Sequence, residues 1–163
     1  MTTTDQIRKV TTIRAPQAKV WSALSVPENF GYWFGSRIEG SFTPGERLKM
    51  TIEPTKVDAE VAKEQEAYKG IEFDAWVEDV TPQSRFAFRW QPYALDEGID
   101  PADAPCTLVE FLLEPVADGT QLTIIESGFD NIPLDRRARA FANNERGWGM
   151  QIELLTKYAE ALV

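Results

Sequence analysis

The sequence predicts an α+β fold, in which a curved antiparallel sheet of about seven strands wraps around a long C-terminal helix. Residues 134–163 carry apolar side chains at spacings of three and four, the period of one helix face. Shorter segments before them alternate in polarity or are rich in β-branched and aromatic residues, as strands are. Six of these strands follow one another along the chain, which favours an antiparallel meander.

The first part of the chain is predicted to form one strand and two short helices. Residues 7–14 are rich in β-branched side chains, and Ala15-Pro16 ends that strand. Proline suits the first turn of a helix, so residues 18–24 are assigned to a short helix. Residues 27–35 form a second, aromatic-rich helical turn that Gly35 closes.

The middle of the chain combines two strands with a segment of ambiguous structure. Residues 38–42 and 47–53 are predicted strands, joined by a turn at 43–46. Residues 54–70 contain good helix formers but little apolar surface, which fits either a mobile loop or a short exposed helix. We interpret this segment as a solvated connection, and the alternative is a lid over a cavity mouth.

Four further strands complete the sheet before the final helix. The first two form a hairpin, an acidic loop with three prolines follows at 91–105, and the last two are joined around Asp118-Gly119. A helix over 134–163 would be about 45 Å long, more than a small domain needs unless a sheet wraps it. No repeat or linker divides the chain, so one domain is expected over 1–163. The four strands that complete the sheet before this helix are predicted at 71–78, 85–90, 106–114 and 120–127.

Composition excludes several classes of function. Twenty-six acidic and 17 basic residues give a net charge of −9, which disfavours nucleic acid and anionic membranes as partners. The absence of histidine removes the usual general base and the imidazole zinc sites, and one cysteine allows no intramolecular disulfide, so neither metal nor cofactor is expected. The polar N-terminus and the lack of a long apolar run predict a cytoplasmic protein without membrane insertion.

Short segments along nearly the whole chain carry a resemblance to a known family. Together with the order of the predicted strands and helices, these segments resemble the helix-grip fold of the START-like superfamily, also called SRPBCC. The similarity is to its bacterial branch, named after the activator of the ninety-kilodalton heat-shock protein's ATPase. The segments are Ala15-Pro16, Val20-Trp21, Pro27-Glu28, Trp33-Phe34-Gly35, Trp90-Gln91-Pro92-Tyr93, residues 107–111, Glu126-Ser127-Gly128-Phe129, Asn144-Glu145 and Gly147-Trp148.

The resemblance implies an apolar cavity between the sheet and the last helix, which in many relatives holds a hydrophobic molecule. We therefore expect non-catalytic binding of a small hydrophobic or amphipathic ligand. One alternative is a protein-interaction module that activates a heat-shock chaperone, using the acidic surface and an outward-facing Trp76. A weaker alternative is a polyketide-cyclase-like enzyme, because the superfamily hosts all three functions. Gln91 stands where the branch often has histidine, which counts against a catalytic role there.

The candidate ligand-binding residues are large aromatic side chains together with polar groups near the predicted cavity. The aromatic set could equally form a filled core, because large aromatic side chains dominate packing in any case. Tyr93, Asn144, Gln91 and Glu110 are the candidate polar anchors. The aromatic candidates are Trp33, Phe34, Phe86, Phe88, Trp90, Phe129, Phe141 and Trp148.

No catalytic residue is assigned, and only two carboxylates are weak candidates. Glu110 and Glu126 lie on neighbouring predicted strands and could act as an acid/base pair if both faced inward. Strand parity places Glu126 on the face of Leu122 and Ile124, while Glu110 lies opposite Val109. The alternation therefore argues against a pair.

Overall fold

The structure is a computed structural model that describes residues 5–92 and 106–162. It contains seven strands and four α-helices in these regions, with single 3₁₀ turns at Glu66–Tyr68 and Phe129–Asn131. The strands are β1 (Gln6–Ile13), β2 (Ser36–Glu39), β3 (Arg47–Ile52), β4 (Glu72–Thr81), β5 (Arg85–Trp90), β6 (Thr107–Val116) and β7 (Gly119–Ser127). The helices are α1 (Gln17–Ser25), α2 (Pro27–Phe34), α3 (Ala59–Gln65) and α4 (Leu134–Ala161).

All seven strands form one antiparallel sheet in the order β1-β7-β6-β5-β4-β3-β2. The predicted meander, the first strand that completes it and the long closing helix are therefore confirmed. Strand ends differ by a few residues, as for β2, which begins at Ser36 rather than at 38. A bulge between Val77 and Asp79 lets β4 continue to Thr81, past the predicted end.

Tight turns depend on glycine at the predicted positions. Gly35 has φ 93° and closes α2 by donating its N–H to the Gly31 carbonyl at 3.0 Å. Gly119 has φ 150° in the β6–β7 hairpin, where an added Cβ would lie 2.1 Å from the Ile13 carbonyl oxygen. The chain direction thus reverses where only glycine fits.

Helix α4 packs on the inner face of the structure mainly through its second half. Only Ala140 is buried before residue 148, whereas the later turns bury a continuous stripe. The periodicity had placed Ala138, Ala142 and Glu145 on the apolar face, but these side chains are exposed because they lie to one side of the stripe that α4 buries. The buried stripe comprises Trp148, Gln151, Ile152, Leu154, Leu155 and Ala159.

A cluster of aromatic side chains fills the centre of the core. Phe111 is fully buried, with ring centroids of Phe30, Trp33, Phe86 and Trp148 between 5.8 and 6.4 Å away. These separations and the mostly edge-to-face angles are those of favourable aromatic packing. This part of the interior is therefore a filled core, in which dispersion contacts replace the open space that a cavity would need. Within the described residues, no helix combines the length and apolarity needed to cross a membrane.

Candidate ligand-binding site

The centre of the candidate site is a fully buried carboxylate, that of Glu126 on β7. Its Oε2 atom accepts hydrogen bonds from Trp90 Nε1 at 2.8 Å and Thr107 Oγ1 at 2.5 Å. Its Oε1 atom accepts from Asn144 Nδ2 and Trp148 Nε1, both at 2.8 Å. Four donors match the four lone-pair positions of an ionised carboxylate, so the buried group is fully hydrogen-bonded.

The sheet register and the helix period bring these donors to one point. Thr107 pairs with Trp90 across β6 and β5, and Val109 on β6 pairs with Glu126 on β7. Asn144 and Trp148 are four residues apart, which places them on one face of α4. The carboxylate consequently joins three neighbouring strands to the helix and fixes the orientation of each donor side chain.

A pocket of about 220 Å³ lies beside this network. Its walls come from the end of α2, from β3 and β4, from residues 65–68, from the end of β5 with the two residues after it, and from α4. The lining is largely apolar, with a few amides, and none of its described side chains carries a formal charge. Such a lining is typical of sites for small organic molecules, and the volume is somewhat below the roughly 300 Å³ at which the usual size range of such sites begins. The lining residues are Phe34, Gly35, Ile52, Gln65, Tyr68, Phe73, Trp90, Gln91, Pro92, Asn144 and Gln151.

Two glutamine amides of the pocket wall bind the last carbonyl of α2. Gln65 Nε2 and Gln151 Nε2 both donate to the Phe34 carbonyl oxygen, at 3.2 and 2.9 Å. Gln65 Oε1 also accepts from the Thr55 N–H at 2.7 Å. Gly35 leaves room for this arrangement, since an added Cβ would lie only 2.5 Å from Gln65 Oε1.

Segment 54–70 contains the short exposed helix that was one of its two predicted forms, and it forms part of the pocket wall. Asp58 caps α3 by accepting from the Glu60 and Val61 N–H groups. The same carboxylate lies 2.6 Å from Lys157 Nζ on α4. The hydrogen bond from Lys157 and the Val61 N–H hold the pKa of Asp58 below its usual value, so this attachment of α3 to α4 is intact at neutral pH.

The structure separates the predicted ligand-binding residues into groups. Phe34, Trp90, Asn144 and Gln91 line the pocket. Phe129 and Phe141 pack on each other, with ring centroids 5.1 Å apart, and neither contributes to the pocket lining. Tyr93 lies outside the described residues. The other aromatic candidates, which pack into the core cluster, are Trp33, Phe86, Phe88 and Trp148.

Glu110 and Glu126 do not form a pair. Glu126 is buried on the inner face, whereas Glu110 lies on the opposite face and binds Arg85, with Arg85 Nη2 3.0 Å from Glu110 Oε2. Arg85 also contacts Asp79 at 2.8 Å. Side-chain alternation accounts for this separation. Glu110 is in register with Ile125 and shares its face of the sheet, whereas Glu126 is the next residue along β7 and points to the opposite face.

Several lining residues were not predicted from the sequence to belong to a site. Gln65 and Tyr68 lie in the segment for which a lid was the alternative interpretation, and Phe73 had only been assigned to a strand face. Gln151 carried a usable signal, because it lies three residues after Trp148 and is a polar residue within the apolar stripe of α4. A buried polar side chain of this kind needs a hydrogen-bond partner, so its presence in an apolar stripe indicates a binding site.

The chain matches a known protein family over most of its length. A family model described as "Activator of Hsp90 ATPase homolog 1-like protein" matches residues 14–160. No curated protein matches the chain significantly.

Solved structures share the fold over nearly the whole chain. Protein MLL2253 from Mesorhizobium loti is 23% identical, with a TM-score of 0.69, and the match covers 94% of this chain and 95% of that one. Protein NE0264 from Nitrosomonas europaea is 20% identical, with a TM-score of 0.68 and coverage of 97% and 96%. DynU16, a protein of the dynemicin biosynthetic locus, is 25% identical with a TM-score of 0.66; the match covers 96% of this chain but 47% of DynU16.

Proposed function

The chain belongs to the family of activator of Hsp90 ATPase homolog 1-like proteins, and from this premise we propose that it binds a small hydrophobic or amphipathic molecule without transforming it. The observation that carries the proposal is the pocket beside Glu126. Its volume of about 220 Å³ exceeds that of a few water molecules, each of which takes roughly 30 Å³ in the liquid. Its aromatic wall would favour an apolar body, and its amides would orient a polar group.

The hydrogen bonding of Glu126 supports binding rather than catalysis. A general base must have a lone pair directed at the proton that it removes. Both carboxylate oxygens of Glu126 already accept two hydrogen bonds each, from side chains that hold the sheet to α4. Glu110 lies on the other face of the sheet and so has no access to the pocket. Neither carboxylate is therefore placed to serve a cyclase-like reaction.

A protein partner is less well supported by the described surface. Trp76, the proposed contact residue, is half-buried between its cross-strand neighbours Arg47 and Arg89. Both arginines are engaged in ion pairs, with Asp74 at 2.7 Å and Glu78 at 2.9 Å. Activation of a heat-shock chaperone thus remains a prediction that rests on the family description alone.

Native mass spectrometry of the freshly purified protein tests the ligand proposal. We expect a species heavier than the polypeptide by the mass of a small organic molecule, and expect that excess to disappear under denaturing conditions. The denatured spectrum is the control, because it would retain a covalent modification but lose a bound ligand. A native mass equal to that of the bare chain, which stays bare after incubation with a cell extract, would contradict the proposal.

A further inference from the structure

Gln151 lines the pocket, and the oxygen of its side-chain amide is a buried acceptor without a partner among the described residues. Gln151 is 8% exposed, and its Nε2 donates to the Phe34 carbonyl at 2.9 Å. That hydrogen bond sets the orientation of the amide, since only the NH₂ end can face a carbonyl oxygen. The Oε1 atom is buried and has no hydrogen-bond partner among the described residues.

The neighbouring glutamine shows that this arrangement is specific to Gln151. Gln65 donates to the same carbonyl, but its Oε1 accepts from the Thr55 N–H at 2.7 Å. Both ends of the Gln65 amide are therefore satisfied within the protein. A buried acceptor without a partner is unfavourable, and a ligand that supplies a donor would remove the deficit.

The rest of the wall limits the kind of molecule that could supply this donor. Phe34 and Phe73 flank Trp90, with ring centroids 6.2 and 5.9 Å from that of the indole. Aromatic walls of this kind favour flat apolar bodies. No described lining residue carries a positive charge to compensate an anion, and the buried Glu126 carboxylate accepts hydrogen bonds from two of the lining side chains, Trp90 and Asn144. An anionic group would therefore be unfavourable here.

We propose that the pocket selects neutral, flat molecules that carry an O–H or N–H donor, and that Gln151 Oε1 accepts this donor. The inference rests on the proposed binding function and specifies its ligand class. Gln151 acts as the residue that determines specificity, while the aromatic wall supplies affinity for any flat apolar body. A donor-bearing molecule and its methylated analogue therefore differ in affinity through one hydrogen bond.

Indole and 1-methylindole form a suitable pair of probes, because methylation removes the only donor and leaves the flat body. Titrations followed by NMR should show indole binding about tenfold more tightly to the wild-type protein. Indole-3-carboxylate, which keeps the N–H group but adds a negative charge, should bind at least about tenfold more weakly than indole. Equal affinities of indole and 1-methylindole, or tighter binding of the carboxylate, would overturn the inference.

Two variants assign the preference to one acceptor. Gln151→Met should reduce the preference for indole to less than about threefold, because a thioether is only a weak acceptor. Gln65→Met, in the same pocket, should change both affinities together and keep their ratio. An indole preference that persists in Gln151→Met would show that methyl bulk rather than the hydrogen bond causes it, and would refute the assignment. Failure of both indoles to bind the wild-type protein at millimolar concentrations would instead count against the proposed function.

Discussion

Replacing Glu126 with glutamine is expected to lower the free energy of unfolding by about 2–5 kcal/mol. A glutamine side chain of nearly the same shape keeps one acceptor oxygen, but its NH₂ group would face two of the four donors that now bind the carboxylate. The buried donors on that side would then lack an acceptor. Urea unfolding followed by circular dichroism measures the effect as a shift of the midpoint.

Glu110→Gln is the matched control, since it makes the same chemical change on the neighbouring strand. Glu110 lies on the outer face, partly exposed, and Arg85 retains Asp79 as a partner when Glu110 is changed. Its cost should be about 1 kcal/mol or less. Equal losses in the two variants would contradict the assignment of Glu126 as the group that joins the sheet to α4.

Phe111→Ala is expected to destabilise the protein by about 3–5 kcal/mol, through loss of buried area and creation of a cavity. Phe111 is fully buried on β6, with five aromatic rings around it, so few side chains can move to fill the space. Chemical denaturation again gives the free energy. The slope of the transition should stay constant if the native fold is kept.

Leu134→Ala serves as the control for that change. Leu134 begins α4 and is 79% exposed, so its truncation removes little buried area and should alter stability by less than about 0.5 kcal/mol. A loss for Phe111→Ala no larger than that of the control would mean that the aromatic cluster is loosely packed. The division of the interior into a filled core and one small pocket would then be wrong.

The fold was predictable because its signals are local. Alternation in β4 to β7, the Gly35 cap and the three-and-four spacing of α4 each depend on neighbouring residues, and the strands, cap and helix that they predict are all present. Which residues of α4 are buried was harder to predict from the sequence. Ala138 and Ala140 differ in exposure because residues two apart point to different sides of the helix, and the period alone does not say which side faces the sheet.

The candidate site was predictable only in part, because it depends on contacts between distant residues. The segments around Glu126, Asn144 and Trp148 were recognised as a family pattern, and parity placed Glu126 inward. Their hydrogen bonds, across 18 and 22 residues, follow from how α4 sits on the sheet, which periodicity does not specify. For the same reason, nothing in the pattern separated Trp90, which lines the pocket, from Phe88, which fills the core.

The most direct test of the central claim is a titration of ¹⁵N-labelled protein with indole, followed by NMR chemical shifts. Binding in the pocket predicts concentration-dependent shifts of the Gly35, Ile52 and Tyr68 amides and of the Trp90 indole N–H. Amides of the exposed end of the β6–β7 hairpin should stay unchanged, as an internal control. Shifts confined to residues outside the pocket, or absent at saturating indole, would contradict the claim that this pocket is the ligand site.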